Sequence, residues 1–566
     1  MVNSGGKKLV STIHDSPFTI HYGTAMMMDQ KLNLSTRRQT RICAMAVAAS
    51  LLIFIVLRAR WIGHLLTWDE AMNLCAVRAL ATLSHDHFSN WFWRHPPLFS
   101  ILTLLLLPLK YGFAERVEIL ALAFGILNIM LLFLLNRKIF GRTAAVLSVF
   151  FLAVMPGSMF FDVWVKRDHP VATFGLAAIL LLVSKRPLWA GLCLGFAMLT
   201  KESAVFYAVA AGLLWLFGAA GKRDWKDLLA LVITPLLASI WWYHLSTVSA
   251  EPGAEAATGL DRILGSATEH ARLAMDADSG WGRPWHFYLK LLGPQLGYAG
   301  IGMAGIGAAV VVWAWRRMPD AAEARRSPEQ TAVATTLERG GPPPHCLRTA
   351  MWWPLAVLVP SYLVLSLLKS KVPWVPMCMF PAWATLQGVA LAWLLRPIPG
   401  TERVSVPAWL DKTRFTLAAL LLVASLHYAC TRDYDTMLED IAPGQRRGAR
   451  WSRNAAVAMN LAARDDERIL LTSFHYWHGI APGQACPVFA YYYTRPTPIL
   501  MKPHETPFTD LVDGIKEHEI DWALLSPMPG DKEQEIFGGF VEELKLKPVK
   551  LERAWLFRTT KVRERK

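Results

Sequence analysis

Cysteine is sparse and unpatterned in this chain of 566 residues. Its seven cysteines (Cys43, Cys75, Cys193, Cys346, Cys378, Cys430 and Cys486) are scattered, odd in number and without C-x-x-C spacing. That excludes a disulfide framework and a thiolate zinc centre. Charge is scarce too: 18% of residues are charged against 53% hydrophobic, which excludes a disordered chain or a string of soluble domains. The N-terminus lacks the layout of a cleaved signal peptide, because about forty polar residues precede the first apolar run, which is therefore expected to be a retained anchor. No short-period repeat is visible.

The charge that is present is unbalanced, with a formal net charge of +15. In a chain this apolar, a basic excess is expected from the positive-inside bias of cytoplasmic loops, and no nucleic-acid partner is implied. Apolar runs at 44–57, 117–135, 143–161, 171–183, 188–199, 204–220, 228–243, 298–315, 351–368, 373–395 and 415–430 predict about eleven transmembrane helices. The run 98–109 is shorter, follows Pro96-Pro97 and carries Pro108. It is expected to lie along the membrane surface as a juxtamembrane helix. With that assignment the basic clusters Arg137-Lys138, Lys185-Arg186, Lys222-Arg223 and Arg316-Arg317 all fall inside.

The fold class expected is an α-helical polytopic membrane protein with a small C-terminal soluble α/β domain. Residues 1–42 form a cytoplasmic tail and residues 43–430 a transmembrane domain, with a first external loop at 59–116 and a cytoplasmic linker at 318–349. Residues 431–566 form the soluble extracytoplasmic domain. There, 468–473, 522–526 and 555–559 read as strands, and 510–517 and 533–544 as amphipathic helices.

This topology brings Asp69, Glu70, Arg94, His95, Asp168, Lys201, Lys369 and Lys371 to the outer membrane face. Ionisable groups are costly at that depth and mark function. A carboxylate there can take the proton of an acceptor hydroxyl, while cations hold a leaving phosphate. Each residue also has a plainer reading. Asp69 can cap a helix starting near Ala71, and Glu70 can be an early-turn acid favoured by the helix dipole. Asp168 can pair with its neighbour Arg167. The lysines can snorkel to headgroups. Tryptophans 91, 93, 281 and 285 read as an interfacial belt, and Tyr491-Tyr492 as a buried aromatic helix end. No cofactor is demanded; a divalent metal at His85, His87 and His95 stays open.

The motifs W-D-E at Trp68, R-H-P-P-L at Arg94, R-D-H-P at Arg167, L-T-K-E-S at Leu199 and S-K-V-P-W at Ser370 carry a resemblance. Over roughly residues 44–395 the chain resembles the GT-C superfamily of membrane glycosyltransferases, within it the protein O-mannosyltransferase and aminoarabinose lipid A transferase group. The resemblance implies inverting transfer of a sugar from a polyprenyl-phosphate donor, on the outer face of the inner or plasma membrane. It implies that Asp69 is the catalytic carboxylate, with Glu70 and Asp168 at the two other acidic positions. Arg94, His95, Lys201, Lys369 and Lys371 become donor-phosphate contacts. His95 stands where lipid A transferases have Lys, so H-P-P is similar to the mannosyltransferases. The implied partners are the lipid-linked donor, membrane lipid, and a protein or glycolipid acceptor: protein Ser/Thr, lipid A or another envelope glycan. A transporter or flippase of lipid-linked sugar, or a non-catalytic glycan-assembly subunit, are the rival readings. The first predicts two related halves with broken helices.

Overall fold

The computed structural model describes residues 18–81, 96–108, 113–219, 224–248, 283–317, 344–368, 375–395, 408–441, 445–473, 491–492, 499–503, 507–525, 536–551 and 554–559. It forms two compact units, residues 1–49 and residues 50–566. The first is described only as the leading part of α1 (Phe18–Ala59).

The second unit opens with the end of α1. Then come α2 (Trp68–Ala81), a short α3 (Leu98–Leu104), α4 (Phe113–Ile139), α5 (Arg142–Val154) and α6 (Pro156–Phe161). After a turn, α7 (Asp168–Val183), α8 (Pro187–Met198), α9 (Val205–Leu216) and α10 (Trp225–Val248) follow. Next are α11 (Phe287–Leu296), α12 (Tyr298–Arg317), α13 (Pro344–Ala350), α14 (Trp353–Leu367), α15 (Phe380–Leu395) and α16 (Ala408–Thr431). Among the described residues, each of the eleven apolar runs lies largely on helix. Of the described helices, six are long and apolar enough to cross a membrane, and four shorter ones are predominantly apolar. They have little amphipathic character, and α16 leaves Phe415, Leu417, Leu420 and Val423 exposed, as helices facing lipid do. The juxtamembrane run makes only the seven-residue α3, with Phe99, Ser100 and Thr103 buried.

Small residues set the helix spacing. A Cβ on Gly388 of α15 would meet Ser148 Oγ of α5 at 2.3 Å, and one on Gly307 of α12 would lie 1.9 Å from the Leu386 carbonyl. Side chains at these glycines would force α5, α12 and α15 apart, which is the usual reason for small residues where apolar helices touch.

The run 143–161, expected as one span, is two helices that break at Met155, whose extended backbone precedes Pro156. Proline has no N–H and disfavours helix in the residue before it, so the last carbonyls of α5 lose their partners. The Arg58 guanidinium supplies them: Nη1 donates to Ala153 O at 2.7 Å and Nη2 to Leu152 O at 3.3 Å. Arg58 also donates to Asp162 at 2.7 Å and Ser158 Oγ at 2.9 Å. It is wholly buried.

After α16 come α17 (Tyr434–Ile441), α18 (Gln445–Ala462), β1 (Ile469–Ser473), β2 (Ile499–Pro503), α19 (Phe508–Glu517), β3 (Trp522–Leu525), β4 (Pro548–Leu551) and β5 (Ala554–Arg558). The strands form one sheet in the order β2-β1-β3-β5-β4. β1 runs parallel to β2 and β3, with Ile469 opposite Ile499 and Trp522, while β5 runs antiparallel to β3 and β4. The three expected strands are all present, as β1, β3 and β5. The expected helix at 533–544 is described only from 536, and its Gly539–Glu543 stretch is a π-turn.

The sheet has two apolar faces. Leu470, Ala523 and Phe557 pack with Leu511 and Ile515 of α19. Leu471, Leu524 and Leu556 join a core that includes Leu66, Ala71, Leu74 and Val77 around α2, Phe99 of α3 and Val165. The alternation along each strand sends successive side chains to opposite faces. The C-terminal sheet is thus packed directly on α2 and α3.

Candidate active site

The site forms where the start of α2 meets the turn between α6 and α7. Helix α2 begins at Trp68, so Asp69 and Glu70 both lie in its first turn, where the helix dipole favours acids. Asp69 is therefore not the cap of a helix starting near Ala71. Thr67 and Glu70 instead form one side of a capping box: the Glu70 carboxylate reaches back to accept from Thr67 N at 2.9 Å and Thr67 Oγ1 at 2.8 Å.

Glu70 has no exposed surface. Its other oxygen accepts from Val165 N at 3.0 Å and lies 3.0 Å from His64 Nε2. All of these partners belong to the chain, and together they hold the Glu70 carboxylate in place. His64 Nδ1 faces Trp61 O at 3.2 Å and Glu118 at 3.5 Å. Burial would lower the His64 pKa, but Glu70 and then Glu118 outweigh it and raise it above the ordinary histidine value. Burial would raise that of Glu70, but His64 and the Thr67 and Val165 N–H groups hold it below the glutamate range.

These opposite shifts set a pH window. Stability from His64 is full below its unfolded pKa and lost as pH rises through the raised folded value. That from Glu70 is present above its unfolded pKa and lost as pH falls through the depressed folded value. Thermal inactivation of detergent-purified protein, followed across pH, should therefore worsen on both sides of neutrality. His64→Gln should flatten the alkaline side. Identical alkaline slopes in the two proteins would refute the assignment.

Two ion pairs carry the charge that reaches the surface. Asp69, its side chain 21% exposed, pairs with Lys166, which is 5% exposed. Lys201, 21% exposed, pairs through both oxygens of Asp168 at 2.8 and 2.9 Å, and Asp168 is fully buried. Each exposed group is thus backed by a buried group of opposite sign. Arg167 is not the partner of Asp168: it is buried and donates through Nη2 to Asn73 Oδ1 at 3.1 Å, while Asn73 donates to Val165 O at 2.9 Å.

The two lysines differ. Burial lowers the Lys166 pKa, Asp69 opposes it, and Lys201 adds to the lowering, so the ammonium sits below the ordinary lysine value. Burial also acts on Lys201, but Asp168 and Glu202 outweigh it and raise its pKa. Lys201 is the fixed cation, and Lys166 the one more readily deprotonated.

Of the residues singled out from sequence, the structure brings Asp69, Asp168 and Lys201 together around Lys166, with Glu70 buried next to Asp69 in the first turn of α2. Arg94, His95, Lys369 and Lys371 lie outside the described residues, as do His85 and His87. Among the described residues no three His, Cys, Asp or Glu side chains converge as a metal site. Sequence reading missed Lys166 as the partner of Asp69 and passed over His64 entirely. The V-K-R-D spacing was a signal for the first; nothing local marks the second. Tyr491 and Tyr492 are half-buried, with the Arg78 guanidinium 4.3 Å over the Tyr491 ring.

Residues 94–244 match the family model described as dolichyl-phosphate-mannose-protein mannosyltransferase. No curated protein matches the sequence. In three dimensions the chain is similar to ArnT from Cupriavidus metallidurans bound to undecaprenyl phosphate, with a TM-score of 0.57 at 15% identity, covering 92% of this chain and 98% of that one. It is similar to the same protein in its apo state, with a TM-score of 0.54 at 13% identity, covering 93% and 100%. It is also similar to the Archaeoglobus fulgidus oligosaccharyltransferase tethered with an acceptor peptide, with a TM-score of 0.53 at 12% identity, covering 86% and 69%. The chain therefore shares the fold of these two proteins, and its residues 94–244 match the sequence pattern of the dolichyl-phosphate-mannose-protein mannosyltransferases.

Proposed function

We propose that this protein is an inverting glycosyltransferase of the inner or plasma membrane. It moves one sugar from a polyprenyl-phosphate carrier to a hydroxyl of a protein, lipid A or envelope-glycan acceptor on the extracytoplasmic side. The observation that carries the reading is the pair of crossed ion pairs, in which one carboxylate, Asp69, and one ammonium, Lys201, reach the surface from a single cluster. That is what a displacement at an anomeric carbon next to a phosphate requires. In this reading residues 43–430 are the catalytic membrane domain and residues 431–566 the soluble domain.

Asp69 acts as general base. Lys166, paired with it, holds it in place until the acceptor hydroxyl arrives. The hydroxyl oxygen forms a bond to the anomeric carbon as the bond from that carbon to the phosphate oxygen breaks. The hydroxyl proton passes to Asp69, and the bonding electron pair leaves on the polyprenyl phosphate. Lys201, held charged by Asp168, offsets the charge that builds on that phosphate. Asp168 acts by positioning Lys201. Arg94, His95, Lys369 and Lys371 are proposed as further phosphate contacts. An apolar cavity of about 240 Å³, bordered by Phe151, Met155, Pro156, Met303 and Tyr428, is suited to part of an isoprenoid chain.

The test is transfer by purified protein from a panel of radiolabelled polyprenyl-phosphate sugars, with the anomeric configuration of the product read by NMR. One donor should be consumed, with inversion. Retention of configuration would rule out direct displacement. Movement of intact lipid-linked sugar across a vesicle, with no transfer, would support the flippase reading.

A further inference from the structure

The surroundings of His64 have a consequence beyond the two ion pairs. Its ring lies in a buried pocket built by four elements: the turn after α1, the first turn of α2, the start of α4, and α17. The titratable groups facing it are Glu70 from α2, Glu118 from α4 and Tyr434 from α17, with Glu115 one turn before Glu118. Tyr434 lies 4.4 Å away, centroid to centroid, and tilted by 36°. Both ring nitrogens face acceptors: Nε2 faces Glu70 Oε1, and Nδ1 faces Trp61 O and Glu118. A neutral imidazole donates from only one nitrogen. A ring with acceptors on both sides is satisfied only as the imidazolium.

Glu70 Oε1, the atom His64 holds, is also the acceptor for Val165 N. Asp69 precedes Glu70, and Lys166 follows Val165. The two segments therefore face each other across two rungs, Glu70 with Val165 N and Asp69 with Lys166. The first rung sets the spacing of the second. Without His64, Glu70 Oε1 keeps only the Val165 N–H of its two contacts and faces Glu118 with no ring between them, so the carboxyl is free to swing. Moving Glu70 moves Asp69 with it.

We propose that His64 is a positioning residue: through Glu70 and the Val165 amide it fixes the register of the Asp69–Lys166 pair. Its effect on catalysis rests on the glycosyltransferase reading above; its effect on the pair does not.

Two measurements on the full-length protein in detergent separate these. The first is zero-length amide formation between Asp69 and Lys166 with a water-soluble carbodiimide, quantified by peptide mass spectrometry. His64→Ala should lower the yield by about tenfold to a hundredfold, the upper figure being the loss that follows a displacement of about 1 Å. His64→Gln, which keeps one N–H for Glu70, should restore part of it. The second is steady-state transfer. His64→Ala should lower kcat about tenfold to a hundredfold with the donor KM changed less than twofold, and His64→Gln should fall between it and wild type.

An undiminished crosslink in His64→Ala overturns the proposal whatever the activity. A weakened crosslink in a protein whose wild type transfers no sugar removes the enzymatic reading and leaves the positioning role standing. If His64→Ala does not accumulate, the proposal rests on His64→Gln, whose crosslink yield must then lie measurably below wild type.

Discussion

Asp69→Asn should slow sugar transfer by about 10²–10⁴-fold at saturating donor, the contribution typical of a positioned general base. The substitution keeps the side-chain shape in the first turn of α2 and leaves the Thr67–Glu70 cap untouched. It removes the group that takes the proton and the negative partner of Lys166. Because Lys166 is buried, its ammonium would lose its main compensation and deprotonate more readily. The donor KM should change little, since Lys201 and Asp168 stay as they are. Asp168→Asn makes the useful contrast. It removes the charge paired with Lys201 and one of the two oxygens that accept from it, so it should raise the donor KM more than it lowers kcat. Near-equal turnover in wild type and Asp69→Asn would remove Asp69 as the base. An effect of Asp69→Asn on KM alone would move it from proton transfer to binding.

Arg58→Met should be the most damaging single change to the membrane part. Arg58 is wholly buried, stacks on the Phe54 ring at 3.6 Å and reaches Asp162, Ser158 and three backbone carbonyls. Methionine fills most of the volume but leaves Asp162 buried with only Ser158 Oγ at 2.7 Å and His169 Nδ1 at 3.3 Å. It also leaves the end of α5 uncapped beside Pro156. Breaking a buried pair from one side costs about 3–5 kcal/mol. Unfolding of a protein this large is a rate more than an equilibrium, so the measurement is the half-life of monodisperse protein on heating, expected to fall by at least tenfold. The double variant Arg58→Met with Asp162→Asn should recover a large part of the loss, because it removes the stranded charge. Equal loss in the single and double variants would place the cost in the uncapped carbonyls.

How much of this was legible in the sequence depended on how local the cause was. The apolar runs marked the helices because hydrophobic length is a property of consecutive residues. Strands β1, β3 and β5 showed for the same reason, as short apolar runs between turn residues. The T-W-D-E cap was equally readable, since a Thr followed three residues later by Glu announces a helix start. The break at Met155-Pro156 was signalled by the proline, and treating 143–161 as one span overrode a local rule.

The pairings were another matter. Arg167 stands beside Asp168 in sequence, yet the first turn of α7 turns the Asp168 carboxylate toward Lys201, more than thirty positions on. Adjacency along a chain does not put two side chains on one face. His64 was invisible because its role comes from acids on two different helices, and no spacing within the chain encodes that meeting.

The shared apolar core of α2 and the sheet bears on how such a protein can diversify. Leu471, Leu524 and Leu556 pack against the helix whose first turn presents Asp69. A tail recruited from another source, to reach a different acceptor, would have to arrive with the same contour on that face. Otherwise the reaction centre would lose its support, so membrane half and tail must evolve as partners and not as interchangeable modules.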